Sequence, residues 1–173
     1  MILVFSDSHG RGARISDVLS RYKEINIRPE AILFLGDGLR ELDDTEFDGI
    51  PFYAVRGNCD FFSIMDGLEV PEERILRFSE YTVIMMHGHK YGVKLGLGAA
   101  ISRARAAGAD ILCFGHTHVA LERYIPADTE EGKPLYVMNP GSIGEYRSSA
   151  SFGVIDLSPS GISISHGKYY IEK

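Results

Sequence analysis

Ile-Leu-Val-Phe-Ser-Asp-Ser-His-Gly occupies residues 2–10, where an apolar run passes at once into Asp7 and His9. A continuous apolar run of this length predicts a strand buried on both faces. The pattern recurs four more times, with runs at 31–35, 52–55, 81–86 and 111–114 followed by Gly-Asp-Gly, Arg-Gly-Asn-Cys-Asp, His-Gly-His and Gly-His-Thr-His. The chain is therefore expected to present five polar motifs at the ends of five strands.

Helix-like segments at 16–23 and 95–107 lie between these runs. The alternation predicts an α/β architecture with mainly parallel central strands. The C-terminal part predicts short strands at 120–125, 135–138, 152–157, 162–166 and 169–171, in a β-meander or second sheet, with a polar hairpin connection at 126–134. Without a linker or repeat, residues 1–173 are expected to form a single domain.

Composition restricts the classes of function. The 173 residues carry a formal net charge of −6, which disfavours long nucleic acids and membrane surfaces as partners, because both attract basic proteins. No apolar stretch is long enough to span a membrane. Two cysteines cannot build a disulfide framework, so a cytoplasmic location is expected.

The paired motifs Asp7-x-His9 and His116-x-His118 suggest metal binding. In an open α/β sheet, ligands bind beyond the carboxyl ends of the strands. Residues at i and i+2 of an extended segment point to the same side, so each pair is expected to reach a common centre. Carboxylate, amide and imidazole groups together suit borderline divalent metals.

Two further residues extend this prediction. Asp37 has two carboxylate oxygens and could bridge two ions. Asn58 offers a neutral oxygen that does not over-neutralise a dication.

The ordered set of motifs resembles the calcineurin-like metallophosphoesterase superfamily. The elements are Asp7-Ser-His9, Gly36-Asp37, Gly57-Asn58, His87-Gly and Gly115-His116-Thr-His118. Gly-Asn-Cys-Asp at 57–60 and Asn-Pro-Gly-Ser at 139–142 look like its small prokaryotic branch, the YfcE-type phosphodiesterases. The resemblance implies a four-layer αββα sandwich, in which two mixed sheets are flanked by helices around a two-metal site.

The resemblance also implies a ligand set and a reaction. Asp7, His9 and His118 would hold one divalent ion, Asn58, His87 and His116 the other, and Asp37 would bridge them. Mn²⁺ is favoured, with Fe, Ni, Co and Zn as alternatives. A hydroxide between the ions would attack phosphorus, most naturally in a small phosphodiester substrate.

Catalytic roles are expected for Asp37, Asn58, Cys59 and His89. Cys59 stands where most of the superfamily has a histidine that helps protonate the leaving group. A thiol is mostly protonated at neutral pH but matches that task less well than imidazole. Cys59, His89 and a water therefore remain alternative general acids, and Cys59 is equally well explained by packing. His89 could contact substrate or support a ligand.

Substrate contacts are expected from Asn58 and Arg147, although a surface role explains Arg147 equally well. Phe61 and Phe62 could form an apolar rim, a subunit contact in a homo-oligomer, or core packing. His166 is expected to be structural or exposed. Cys113 is expected to fill the core.

Two alternative functions remain. A phosphomonoesterase or nucleotide pyrophosphohydrolase would present the same phosphoryl oxygens to the metals. A non-catalytic protein-interaction scaffold could use the same fold, as a retromer subunit does after losing part of the metal set. Retention of the complete ligand set in this chain favours the enzyme.

Overall fold

The computed structural model describes residues 1–42, 47–61, 64–65, 68–130, 132–146 and 150–170. Its helices are α1 (Ala13–Glu24) and α2 (Gly98–Ala106). Its strands are β1 (Ile2–Phe5), β2 (Ala31–Phe34), β3 (Phe52–Ala54), β4 (Ile64–Met65), β5 (Leu68–Glu69), β6 (Glu73–Phe78), β7 (Tyr81–Met86), β8 (Ile111–Phe114), β9 (Leu121–Ile125), β10 (Leu135–Asn139), β11 (Ala150–Ser158) and β12 (Gly161–Tyr169).

The longer strands form two mixed five-stranded sheets. The first has the order β12-β11-β1-β2-β3, in which β1, β2 and β3 are parallel. The second has the order β6-β7-β8-β10-β9, in which β7, β8 and β10 are parallel. Strands β4 and β5 form a separate two-stranded antiparallel sheet. Because the central strands of each sheet are parallel, their carboxyl ends lie at one edge.

Alternating side chains divide the core into layers. In β1, Ile2 and Val4 belong to the apolar cluster between the two sheets, whereas Leu3 and Phe5 pack with residues of α1. Strands of the second sheet alternate in the same way between that central cluster and a third cluster that includes residues of α2. The result is the expected four-layer sandwich, α1 on one face and α2 on the other.

The C-terminal strands differ from the prediction of one meander or separate sheet. Strands β9 and β10 extend the second sheet across the 126–134 connection, but β11 and β12 join the first. The reason is that β1 is a central strand with two edges to satisfy, and β11 pairs with the edge opposite β2, Leu3 facing Val154. The two runs expected at 162–166 and 169–171 form one strand as far as Tyr169.

The remaining differences concern element bounds. Helix α1 begins three residues before the predicted segment, at Ala13, and α2 is shorter than predicted. Strand β6 was not predicted, because its charged residues break the apolar run. Among the described residues, no helix is both long enough and apolar enough to cross a membrane.

Candidate metal centre

The polar segments that follow β1, β2, β3, β7 and β8 meet at one edge of the sandwich. His9 and His118 are 109 residues apart in sequence, yet their Nε2 atoms lie 3.3 Å apart. The Nε2 atom of His87 lies 3.1 Å from His116 Nδ1. The structure therefore brings the motifs of both sheets together, and all seven residues of the implied ligand set lie in this cluster.

Asp7, His9 and His118 form one group of donor atoms around a buried carboxylate. Asp7 is fully buried, and its Oδ1 lies 3.1 Å from His118 Nε2 and 3.8 Å from His9 Nε2. Its Oδ2 accepts hydrogen bonds from Ser6 Oγ and the backbone N–H of His116. Oδ1 accepts no hydrogen bond of standard geometry from the described residues, and its close polar contact is the imidazole of His118.

His87 is the centre of the second group. Its Nδ1 donates to the carbonyl oxygen of Leu35 at 2.7 Å, which leaves the lone pair of a neutral ring on Nε2. That lone pair faces Asn58 Oδ1 at 3.1 Å as well as Nδ1 of His116. Acceptor atoms that face one another in this way require a shared cation or proton.

Asp37 connects the two groups. Its Oδ2 lies 3.4 Å from His87 Nε2 and 4.0 Å from His9 Nε2. Its Oδ1 accepts a hydrogen bond of 2.7 Å from the backbone N–H of Cys59. One carboxylate thus reaches both groups, as a bridging ligand would.

The backbone conformation at the cluster corrects the sequence argument. Asp7, His9, Asp37, His116 and His118 all have positive φ angles, between 42° and 67°. The two pairs therefore converge through left-handed turns after the strands, and the i, i+2 geometry of an extended segment does not apply. Such conformations are unfavourable for non-glycine residues and concentrate at functional sites.

The electrostatics of the cluster favour positive charge between the acceptors. Burial lowers the pKa of His87, but its hydrogen bond to Asp37 and the charges of Asp7 and Asp37 outweigh burial and raise it overall. Burial raises the pKa of Asp37, but His87 and the Cys59 N–H hold it well below its usual range. The close contact with the carboxylate of Asp7 raises the pKa of His118. Burial, His87 and Lys94 lower the pKa of His116 to about 4, so its ring is neutral near pH 7.

Asp60 fixes the turn that carries Asp37. Its buried carboxylate accepts four backbone hydrogen bonds, from the N–H groups of Asp37, Gly38, Leu39 and Gly57, at 2.6–2.9 Å. The two turns are so close that a Cβ added at Gly57 would lie 2.1 Å from Asp37 Oδ1. Asp60 therefore joins the segments that follow β2 and β3.

Cys59 and His89 lie beside the cluster. The Cys59 Sγ lies within 4.8 Å of donor atoms of His9 and Asp37. Burial and the neighbouring Asp37 raise the pKa of this thiol to about 11, which matches a general acid at neutral pH less well than the ordinary thiol assumed from sequence. The ring centroid of His89 is 5.4 Å from that of His87, and burial lowers the pKa of His89. Both of its expected roles remain open.

The other residues singled out from the sequence have different outcomes. Arg147 and Phe62 lie outside the described residues. Phe61 is 81% exposed, which excludes core packing but leaves a rim or a subunit contact. His166 is structural: it joins Glu122 Oε1 through Nδ1 and the carbonyl oxygen of Asn139 through Nε2. Cys113 is fully buried between the sheets.

The segment at 139–142 holds the loops that carry the donor atoms. Asn139 Nδ2 donates to the carbonyl oxygen of Gly115 and to Thr117 Oγ1, on either side of His116. Ser142 Oγ donates to the carbonyl oxygen of Asp7. Sequence reasoning noticed this motif only as part of the resemblance, because its hydrogen bonds reach residues more than 20 positions away.

Lys94 is a residue near the cluster that sequence reasoning missed. Its exposed ammonium is close enough to contribute to the electrostatics of both His116 and His118. A single lysine in a glycine-rich segment carries no recognisable signal in sequence.

The residues of the cluster fit two divalent cations. Donor atoms bound to one ion at about 2.1 Å lie about 3.0–3.4 Å apart, which is the spacing found around His87 Nε2. The unsatisfied Asp7 Oδ1 supports the same conclusion for the other group. Imidazole and oxygen donors suit Mn, Fe, Co, Ni and Zn without selecting one of them.

The four-layer sandwich carries a cluster of candidate metal ligands at one edge, and comparison with known proteins assigns the family. The family model described as the calcineurin-like phosphoesterase superfamily domain matches residues 1–160. The chain belongs to this superfamily. It is 30% identical over 158 residues to the probable metallophosphoesterase YsnB of Bacillus subtilis (strain 168). The aligned region covers 90% of this chain and 83% of YsnB.

Solved structures share the fold. A predicted phosphoesterase of Streptococcus pneumoniae TIGR4 aligns with a TM-score of 0.75 at 24% identity, over 96% of this chain and 88% of that one. Vacuolar Protein Sorting 29 of Cryptosporidium parvum aligns with a TM-score of 0.68 at 19% identity, over 97% and 96%. At these identities the two structures support the sandwich fold and nothing finer.

Proposed function

We propose that the protein hydrolyses small phosphodiesters at a centre of two divalent cations, with Mn²⁺ the favoured metal and the cytoplasm the expected location. The observation that carries this proposal is the position of Asp37 Oδ2 between His87 and His9, one from each group of donor atoms. Asp7 and His118 would complete the first site, and Asn58 with His116 the second.

The cations would supply an acidified water as nucleophile and would neutralise charge on the phosphoryl oxygens. The residues of the chain hold the geometry: His87 is oriented by the Leu35 carbonyl, and Asp37 by the Cys59 N–H. The neutral His116 presents a lone pair rather than a proton near pH 7. The acidic chain can therefore present a locally positive site to an anionic substrate.

Removal of metal is expected to abolish hydrolysis reversibly. Protein treated with a chelator should not cleave a chromogenic phosphodiester, and Mn²⁺ should restore cleavage. Because the ions bind only the folded state, Mn²⁺ at 100 times its Kd should also stabilise the protein by about 2.7 kcal/mol per site, measured as a rise in Tm. A metal-free protein that retained full activity would contradict the proposal.

The same assay separates the alternatives. A kcat/KM for a chromogenic phosphomonoester or for a dinucleotide pyrophosphate above that for the phosphodiester would favour the second enzyme class. Absence of stoichiometric metal, together with absence of activity with Mn²⁺, Ni²⁺ or Zn²⁺, would favour the scaffold.

We expect Lys94 to contact the anionic substrate. Replacing it with alanine should raise KM for the phosphodiester about five- to tenfold, a loss of about 1 kcal/mol of binding, with kcat nearly unchanged. A matched control is Lys133→Ala, since Lys133 pairs with Asp110 at the amino end of β8, away from the cluster. An unchanged KM in the Lys94 variant would remove this residue from substrate binding.

A further inference from the structure

Glu41 holds the loop that carries His9. It lies in the short 3-10 turn Leu39–Glu41, four residues after Asp37. Its carboxylate accepts hydrogen bonds from Ser8 Oγ at 2.8 Å, from the backbone N–H of Gly12 at 2.9 Å and from the backbone N–H of Gly10. Three donors on either side of His9 thus converge on one side chain.

The loop needs such a partner because its own backbone is strained. His9 has a φ angle of 42°, and its backbone N–H donates a long hydrogen bond, of 3.3 Å, to the carbonyl oxygen of Asp37. The side chain of His9 is 36% exposed, and its ring contacts the ring of His118 on one side. A carboxylate that accepts hydrogen bonds from Ser8, Gly10 and Gly12 adds directional contacts to the backbone on either side of His9.

Glu41 is itself held firmly. Its neighbours Leu39 and Leu42 are each 1% exposed and belong to the core cluster that contains residues of α1. The turn is also tied to Asp60 through the N–H of Leu39. Contacts of Glu41 therefore transmit the position of the Asp37 turn to the His9 loop.

We propose that Glu41 is a positioning residue that aligns His9 with Asp7 and His118. It thereby sets the affinity for the cation that these three residues would hold. This inference rests on the proposed function, since it assumes a cation at that group. The effect is confined to that position, and the second position, which includes His87 and His116, is expected to keep its affinity.

The test compares Glu41→Gln with the exposed control Glu24→Gln. In the glutamine variant one oxygen becomes an NH₂ group that faces a donor, so at least one of the three hydrogen bonds is lost. Titration with Mn²⁺ should show two tight ions in the wild type and the control. The variant should keep one tight ion and bind the other about 10- to 100-fold more weakly, the range typical of residues that orient metal ligands.

A second measurement uses metal-free protein. Amide hydrogen exchange at Gly10 and Gly12 should be faster in Glu41→Gln than in the wild type, while exchange in β8 stays unchanged. This arm reports on Glu41 even if the wild type failed to hold two ions, a result that would contradict the proposed function alone. If Glu41→Gln does not fold, Ser8→Ala removes one of the three bonds and should produce the same changes to a smaller extent.

Wild-type affinity for both ions, together with unchanged exchange at Gly10 and Gly12 in a folded variant, would overturn the inference. Equal weakening of both ions would also overturn it, because the effect would then not be specific to the His9 group.

Discussion

Asp37→Asn is expected to reduce phosphodiester hydrolysis by about 10³-fold or more, equivalent to about 4 kcal/mol of transition-state stabilisation. Asp37 is the residue whose side chain reaches both groups of donor atoms, with Oδ2 near His87 and near His9. The neutral amide carries no charge to offset two dications and replaces one oxygen with a nitrogen that cannot bind a cation. Both the metal content and the chemistry are therefore expected to suffer.

The measurement combines steady-state kinetics with metal analysis of the same preparations. Wild type should contain two ions per chain, and Asp37→Asn one or none. The variant should lose most of its kcat while its melting temperature changes little. Asp128→Asn is the matched control, since Asp128 is 62% exposed and pairs with Arg105. Normal turnover in Asp37→Asn with two bound ions would exclude a bridging role for this residue. Asp37→Ala and His116→Ala should also abolish hydrolysis.

The structure also bears on the choice between enzyme and scaffold. The fold is shared with a vacuolar sorting protein as well as with a predicted phosphoesterase, so the sandwich alone does not decide. The arrangement of donor atoms is more informative. Five of the donor residues have positive φ angles and Asp7 Oδ1 is buried, features that a metal centre would explain, and the activity assay then separates an enzyme from a scaffold.

Much of the architecture could be predicted from local pattern. The runs in β1, β2, β7 and β8 are buried on both faces, so their apolar composition is continuous and easily recognised. Polar residues directly after such strands fall at a shared edge, which is why the cluster could be anticipated. The sheet that β11 and β12 join could not be anticipated, because strand pairing over 150 positions depends on which edge is left unsatisfied.

The precise geometry of the candidate centre was beyond sequence reasoning for a similar physical reason. Ser142 and Asn139, which belong to a distant segment, hydrogen-bond to Asp7 and Thr117 in the loops that contain the left-handed residues Asp7 and His118. Glu41 and Asp60 likewise act on backbone N–H groups, which every residue type possesses. A contact to the backbone leaves no signature in the sequence of the partner, so neither role was predictable in detail.

Replacement of Asp60 is expected to have the largest effect on stability. Each carboxylate oxygen accepts two backbone hydrogen bonds: Oδ2 those of Asp37 and Gly57, and Oδ1 those of Gly38 and Leu39. Asp60→Ala would leave four donors without this acceptor in a region where Asp60 itself is only 7% exposed. With each unsatisfied buried donor costing about 1–3 kcal/mol, partly relieved by water, we expect a loss of about 3–5 kcal/mol in the free energy of unfolding.

Asp60→Asn distinguishes the hydrogen bonds from the bulk of the side chain. The amide has nearly the same shape but keeps one acceptor oxygen, so two of the four N–H groups would face an NH₂ group. We expect about half the destabilisation of Asp60→Ala, measured by urea unfolding, and weaker binding of both cations because the Asp37 turn moves. Asp156→Asn, at a 61% exposed carboxylate on β11, is the control. Suppose that Asp60→Asn were as stable as the wild type and bound two Mn²⁺ ions with unchanged affinity. The four hydrogen bonds would then have no role in holding Asp37 between the two groups of donor atoms.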